Sequence, residues 1–335
     1  MPERRERVLG CLFGTAFGDA LAAPTEFLTF DQIVQRWPPD GPADLDRQPS
    51  RVTDDTQMML AVGAALVAAQ ASGQITLATL EPALRKTFIS WLNDPENNRA
   101  PGMTCLQACG NLERGQRWQV ATVAHSKGCG ANMRVQPVGL LQVDGPTRAA
   151  LAQFQAALTH GHPTGLAAAD LTAWVIADLL AGGDVAGLTA RLRAYAESQR
   201  EIYHAEWLGD LWEQFGSTSP KSFIARGWNE CFSVLARLDA ALINPDVTSD
   251  PCLATGLGWI AEEALATGLL CFLLYPDEPR KALQRAAASA GDSDSIACLA
   301  GAFAGAYHGM ARWPAHWIEH IEYREQLDHL AQALI

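Results

Sequence analysis

The sequence of 335 residues is poor in the features that mark a strand-rich protein. Runs of valine, isoleucine and threonine, which favour strands, are few, whereas alanine and leucine, which cost least in a helix, are frequent. No strand–helix–strand rhythm is found, which argues against a parallel sheet. The composition therefore predicts an all-α protein with enough chain to bury a full core.

The eight cysteines form no CxxC pair and are scattered from Cys11 to Cys298. This spacing is typical of buried thiols in a reducing compartment rather than of a disulfide framework. The N-terminal residues are charged and lack the long apolar core and the cleavage site of a signal peptide. Acidic residues such as Asp19 and Glu262 interrupt the longest apolar stretches, so no membrane span is predicted. We therefore expect a soluble cytoplasmic protein.

Positive charge is also scarce, because 25 lysines and arginines stand against 37 acidic residues, for a net charge of -12. This balance argues against a stable nucleic-acid scaffold, which would need basic side chains to neutralise phosphates. It does not exclude a small anionic ligand, since a bound divalent metal can reverse the local charge of an acidic site.

Helical periodicity is found in ten segments, separated by short turns rich in glycine, proline, aspartate and asparagine. The region from about 200 to 250 is less regular, and we interpret it as an insertion over the core or a lid. No linker divides the chain, so a single domain over residues 1–335 is predicted. The predicted helices cover residues 4–22, 56–72, 76–92, 103–114, 147–159, 166–181, 184–199, 259–274, 279–290 and 295–309.

Glycines recur every four residues in the first and the last of these helices, as Gly10, Gly14, Gly18 and as Gly301, Gly305, Gly309. A spacing of four places such glycines on one helix face, where a neighbouring helix can approach closely. Each glycine costs a helix about 1 kcal/mol, so a repeated glycine face needs a packing reason. We expect both helices to be central.

Two acidic clusters directly precede apolar helices, namely Thr53-Asp54-Asp55-Thr56 and Gly291-Asp292-Ser293-Asp294-Ser295. One interpretation is ordinary helix capping, because Asp, Ser and Thr accept hydrogen bonds at helix starts. Each cluster, however, has more oxygen ligands than one cap uses, and buried carboxylates without partners are costly. Four carboxylates with Thr and Ser hydroxyls suit Mg²⁺ or Mn²⁺, and two such ions could act together on a diol and a water. The residues alone leave both interpretations open.

Five motifs, in order, resemble those of the ADP-ribosylglycohydrolases. These are Gly10–Gly14 with Gly18-Asp19 and Pro24–Phe27, Thr53–Thr56, Ser126–Gly139, Thr159–Pro163 and Gly291–Ile296. The resemblance runs from about residue 7 to residue 310 and implies an all-α fold, a compact multi-helix orthogonal bundle with a two-metal site at helix N-termini.

By position in these motifs, the resemblance implies metal ligands and catalytic groups. The two Mg²⁺ or Mn²⁺ ions would be held by Thr53, Asp54, Asp55, Asp292, Asp294 and Ser295. Glu26, together with Asp55, would serve in catalysis, Glu26 being placed to activate water or to switch with substrate binding. The alternative for Glu26 is a surface glutamate that follows a helix.

The resemblance also implies a set of substrate-binding residues. Glycines permit positive φ and close backbone approach, and successive N–H groups of residues 126–134 could cradle a diphosphate, to which Lys127 would add charge. The competing interpretations are an ordinary glycine-rich turn for residues 126–134 and a position in the core for His160 and for Trp259. The expected binding residues are Ser126, Lys127, Gly128, Cys129, Gly130, Met133, His160 and Trp259.

The resemblance therefore implies a metal-dependent hydrolase that cleaves the glycosidic bond between ADP-ribose and an acceptor on a protein, a nucleic acid or a small molecule. Its partners would be ADP-ribose and an ADP-ribosylated target, and a monomer is expected. The alternative is a non-catalytic ADP-ribose-binding or structural protein on the same scaffold. An HD-type phosphohydrolase would need more histidines, and an isoprenoid synthase a DDxxD motif, which Asp54–Met58 does not form.

Overall fold

The computed structural model describes residues 2–335, which form helices joined by turns and loops. Within these residues no strand is formed; pairs of extended residues meet only in isolated bridges. The prediction of an all-α protein is confirmed. The α-helices are α1 (Arg4–Ala22), α2 (Phe30–Arg36), α3 (Asp54–Ala71), α4 (Leu77–Leu92), α5 (Met103–Glu113), α6 (Trp118–Ala121), α7 (Gln136–Leu140), α8 (Gly145–Ala157), α9 (Pro163–Leu180), α10 (Leu188–Gln199), α11 (Ala205–Leu208), α12 (Pro220–Ile243), α13 (Cys252–Thr255), α14 (Ala261–Leu274), α15 (Pro279–Ala287), α16 (Ser293–His308), α17 (Ala315–His320) and α18 (Arg324–Leu334).

Helices α1 and α16 pack face to face through their glycines. A Cβ atom on Gly14 would overlap the carbonyl oxygen of Gly301, and one on Gly305 would overlap that of Gly10. The two glycine faces predicted from the sequence therefore contact each other, which the spacing alone did not specify. Since α16 begins at the second acidic cluster, this contact fixes that cluster against the end of α1.

Helix α9 lies in the middle of the fold. It is long and apolar enough to cross a membrane by composition alone, but 78% of it is buried inside the protein, as in the core helix of a globular domain. It packs against α8, α12, α14 and α16. Its start, capped by the ring of His162, lies next to the segment that contains His160.

The region from 200 to 250 contains α12, a 24-residue helix that the sequence pattern did not reveal. A capping box of Ser219 and Ser222 begins the helix, and Trp228 in its middle is fully buried. Gly227 lies so close to Pro163 that a Cβ would overlap its carbonyl group. Because α12 packs on α9 and α14, this part of the region belongs to the helical core, while a lid role for the remainder stays a prediction.

Candidate active site

The first acidic cluster is at the start of α3. Thr53 is the N-cap residue, and its hydroxyl accepts a hydrogen bond from the Asp55 amide at 3.4 Å. Asp54 accepts one from the Gly102 amide at 3.3 Å. One oxygen of Asp55, in contrast, is buried without any hydrogen-bond partner in the protein. Capping therefore explains Thr53 but not the two carboxylates.

Asp19 on α1 holds this cluster in place, a role that was not predicted from the sequence. Its carboxylate accepts hydrogen bonds from the Thr53 amide at 2.9 Å, from the Thr56 amide at 3.1 Å and from the Thr56 hydroxyl at 2.5 Å. Burial raises the pKa of Asp19 to about 7, and the charge of Asp294 contributes. The signal in the sequence was a single aspartate inside a glycine-rich apolar helix.

The second acidic cluster is at the start of α16. The Asp292 amide donates to the Leu257 carbonyl at 2.7 Å, and the Ser295 amide donates to the Asp294 carboxylate at 3.0 Å. The Ser293 hydroxyl lies 2.9 Å from that of Thr25, in the turn that follows α1. This contact joins the second cluster to the segment that contains Glu26.

Glu26 joins the acidic residues in space. One carboxylate oxygen from each of Glu26, Asp292 and Asp294 lies within 4.8 Å of the other two. Asp54 and Asp55 are close enough to this group that the charge of Asp294 raises the pKa of both. Thus Glu26 is not simply a surface glutamate after a helix.

No cation of the protein neutralises these carboxylates. Within residues 2–335, neither Glu26 nor the four aspartates of the two clusters lie within 4.0 Å of a lysine, arginine or histidine nitrogen. Burial, followed by repulsion from Asp294, raises the pKa of Glu26 to about 9 and that of Asp54 to about 8. The same causes hold the pKa values of Asp55 and Asp292 well above their usual range. The cluster therefore favours a bound cation or protons.

The glycine-rich loop pairs with the residues before α14. The Cys129 amide donates to the Trp259 carbonyl at 3.1 Å, and the Ala261 amide donates to the Lys127 carbonyl at 2.9 Å. Because Leu257 also holds Asp292, this short stretch connects the loop to the second acidic cluster. The Met133 sulfur lies 4.0 Å from the Ser295 hydroxyl, a second connection. The predicted binding and metal residues are thus brought together.

Of the two properties of glycine considered for this loop, positive φ and close approach, the structure uses close approach. Neither Gly128 nor Gly130 has a positive φ. Gly130 is required by close packing, because a Cβ there would lie 2.7 Å from the Cys105 sulfur and 3.0 Å from the His160 ring, whereas a Cβ on Gly128 would lie 3.3 Å from the nearest atom of that ring. The Cys129 amide is also already bonded within the protein, so it does not point freely into a diphosphate cradle.

Lys127 is bound by two carboxylates. Its Nζ donates to Glu230 on α12 at 2.7 Å and to Glu262 on α14 at 2.5 Å. Its charge is therefore offset within the protein, and the expected contact with phosphates stays untested. The roles of Glu230 and Glu262 were missed in the sequence, because no helix was predicted around Glu230 and Glu262 looks like an ordinary residue of the predicted helix 259–274. Ser126, beside Lys127, places its hydroxyl 2.9 Å from that of Thr104.

His160 lies buried beneath the loop, and Trp259 lies exposed above it. The Nδ1 atom of His160 is 2.8 Å from the Thr159 hydroxyl, and burial holds the pKa of its ring well below the usual value, so the ring is neutral. Trp259 is 41% exposed and stacks on Phe27, with ring centroids 5.5 Å apart. Phe27 has a φ of 66°, a strained conformation for a residue other than glycine. Because Phe27 directly follows Glu26 in the chain, this aromatic pair connects the residues before α14 to the segment that contains Glu26.

Fold and site together define an all-α protein with a buried acidic cluster at two helix starts, next to a glycine-rich loop. The ADP-ribosylglycohydrolase family model matches residues 1–335. The chain belongs to this family, whose named members are glycosidic-bond hydrolases.

The relatives match over nearly their whole length. The chain is 28% identical to the ADP-ribosylhydrolase ARH3 of Bos taurus, with 98% of this chain and 92% of the relative covered. It is 27% identical to the ADP-ribosyl-[dinitrogen reductase] glycohydrolase of Rhodospirillum rubrum, with 98% and 97% covered. A solved structure described as an ADP-ribosylglycohydrolase-related protein complex has a TM-score of 0.67 at 23% identity over 100% of this chain and 98% of the other, which supports the fold.

Proposed function

We propose that this protein hydrolyses the glycosidic bond between ADP-ribose and an acceptor, with two Mg²⁺ or Mn²⁺ ions held between the starts of α3 and α16. The observation that carries the proposal is the cluster of Glu26, Asp292 and Asp294, whose oxygens lie within 4.8 Å of one another. Family membership supports the ADP-ribose half of the substrate.

The residues fit divalent cations by their chemistry. All proposed ligands, which are Thr53, Asp54, Asp55, Asp292, Asp294 and Ser295, offer oxygen atoms, the donors that Mg²⁺ and Mn²⁺ prefer. The buried oxygen of Asp55 without a partner is the clearest single indication, because burying an unpaired carboxylate is costly. Bound cations in such a site supply the charge that orients the ribose hydroxyls and lowers the pKa of a nearby water.

Glu26 is the proposed general base. It is only half-buried, unlike the aspartates, so its carboxylate lies where water from solvent can reach it. Nearby positive charge would lower its raised pKa towards the range in which a carboxylate accepts a proton from water. The water oxygen then bonds to the anomeric carbon, the carbon–acceptor bond breaks, and the acceptor leaves with a proton.

The remaining predicted residues form the side on which ADP-ribose would lie. Ser126, Gly128, Gly130 and Met133 belong to the glycine-rich loop, and Trp259 offers an exposed aromatic face for stacking. Neutral, buried His160 supports the loop from below and is not placed to transfer a proton. Lys127, tied to Glu230 and Glu262, would keep the loop attached to α12 and α14.

The test is release of ADP-ribose from a panel of arginine-, serine- and nucleic-acid-linked substrates by the pure protein with Mg²⁺ or Mn²⁺. We expect release from at least one linkage, dependence on the divalent ion, and loss of activity in Asp55→Asn and Asp292→Asn. Tight binding of ADP-ribose without release from any substrate would favour a non-catalytic binding protein instead. The buried, uncompensated carboxylates argue against that alternative, since binding alone has no need of them.

A further inference from the structure

A cleft lies beside Glu26. It has a volume of about 720 Å³, and its lining includes Glu26, Phe27 and Thr53 of the site described above, together with Arg36, Trp37 and Arg47. None of the residues 126–134, His160 or Trp259 lines it. If ADP-ribose lies along the glycine-rich loop, this cleft is on the side where the acceptor must be.

The charge of this cleft differs from that of the protein as a whole. Four arginines line it against three carboxylates, although the chain has a net charge of -12. Arg51 and Arg99 are already paired with Glu96, each at 2.6 Å, and Asp44 accepts a hydrogen bond from Trp317 at 2.5 Å. Arg51, Arg99 and Asp44 therefore already have partners within the protein.

Arg36 and Arg47 remain available. Within residues 2–335, neither guanidinium has a carboxylate within 4.0 Å, and both side chains are exposed. Arg36 lies over the Trp37 ring at 4.6 Å, which orients its guanidinium without neutralising it. Glu26 and Asp46 are the lining carboxylates that form no ion pair within residues 2–335. Since Glu26 belongs to the acidic cluster, two unpaired arginines remain against one unpaired carboxylate, an excess of positive charge that favours an anion.

We propose that this cleft binds the acceptor, and that the acceptor is a peptide segment with acidic residues beside the modified side chain. The inference rests on the proposed function, because it assigns the leaving side of the same site. Arginine pairs with carboxylates through two parallel hydrogen bonds, which gives both affinity and orientation. The overall negative charge of the chain makes an acidic peptide a better fit than a nucleic acid, which would be repelled over a larger surface.

The experiment uses two ADP-ribosylated peptides that carry the same linkage and differ only in their flanking residues, acidic in one and basic in the other. The full chain with Mg²⁺ should release ADP-ribose from the acidic peptide with a kcat/KM about tenfold higher, an advantage that high salt removes. In the Arg36→Gln, Arg47→Gln double variant this ratio should fall close to one, mainly through KM.

The matched control is Arg5→Gln, which removes an exposed arginine without an ion pair at the start of α1 and should keep the wild-type ratio. Because the ratio of kcat/KM for the two peptides is measured on one preparation, a loss of folded protein lowers both rates equally and leaves the ratio unchanged. Equal rates on both peptides, or release from a nucleic-acid-linked substrate only, would overturn the inference while leaving the proposed function standing. Absence of release from every substrate would instead refute the proposed function.

Discussion

Asp170 and Asp55 are both buried aspartates of this helical protein, but they differ in the hydrogen bonds that their carboxylate oxygens accept. Asp170, on α9, accepts hydrogen bonds from the Tyr195 hydroxyl at 2.6 Å and from the Gln153 amide at 2.9 Å. Asp55 has one buried oxygen without a hydrogen-bond partner among residues 2–335. Burial raises the pKa of Asp170 to about 6, whereas burial together with repulsion from the neighbouring carboxylates holds the pKa of Asp55 well above its usual value.

The difference distinguishes a carboxylate whose hydrogen-bond donors all come from the protein from one that fits the proposed metal site. Asp170 has its donors from the protein and needs nothing more, as is usual for buried polar groups. The acidic cluster concentrates negative charge with too few donors, which a purely structural role does not explain. Asp19 stands between the two cases, because its donors come from the backbone and side chain of the cluster it supports.

The largest expected effect comes from exchanging the two aspartates for asparagine in turn. Asp55→Asn should reduce ADP-ribose release more than about a hundredfold and abolish stabilisation by Mg²⁺, because a metal ligand is lost. Asp170→Asn should lower the free energy of unfolding by about 1–3 kcal/mol yet keep its dependence on Mg²⁺. Turnover and thermal unfolding with and without Mg²⁺ measure both effects, and equal behaviour of the two variants would refute the distinction.

Asp19→Asn should have an intermediate effect. The Thr53 and Thr56 amides would lose a charged acceptor, so the first acidic cluster would be held less firmly. Groups that position metal ligands are worth about 10–100-fold in affinity, and we expect a loss of this size in Mn²⁺ affinity. Calorimetric titration of the folded variant gives the value. An unchanged affinity would mean that Asp19 only stabilises the fold.

The pH dependence of stability sharpens the comparison further. Without divalent ions, burial and repulsion from Asp294 raise the folded-state pKa values of Glu26 and Asp54 to about 9 and 8, from ordinary values of 4.5 and 3.8. The folded state therefore retains protons that the unfolded state releases, so stability is lost as pH rises from about 4 to about 9. The loss of stability that comes from Asp170 is complete at a lower pH, because burial raises its folded-state pKa only to about 6. In chelator, the free energy of unfolding should fall between pH 7 and 9, and Asp54→Asn should make this fall smaller. A free energy of unfolding that does not change over this range would contradict the assignment of the pH dependence to the buried acidic cluster.

The smallest effect is expected at the aromatic pair. Trp259→Ala should remove a stacking surface worth about 0.5–1.5 kcal/mol, and therefore raise KM by about two- to tenfold with little change in kcat. Leu253→Ala, at a side chain 80% exposed, is the control and should change neither. A fall in kcat alone would place Trp259 in the reaction instead of in binding.

The ordered motifs predicted the helical fold and the residues that meet in the cluster, because glycine spacing and oxygen-rich helix starts are local signals. Helix α12 was not predicted, and the close approach of its Gly227 to Pro163 of α9 joins residues far apart in the chain, which no local pattern contains. The roles of Asp19, Glu230 and Glu262 depend on partners far along the chain and were likewise hidden. Gly130, which lacks a positive φ and lies against Cys105, shows that a glycine can be required by packing alone.

Counting Mn²⁺ ions on the metal-free protein near neutral pH tests the central claim most directly. By equilibrium dialysis or paramagnetic resonance, the wild-type chain and Asp170→Asn should each bind two ions that Mg²⁺ displaces, and Asp55→Asn should bind fewer. Absence of specific Mn²⁺ binding to the folded wild-type protein, or equal binding to Asp55→Asn, would show that the buried acidic cluster is not a metal site.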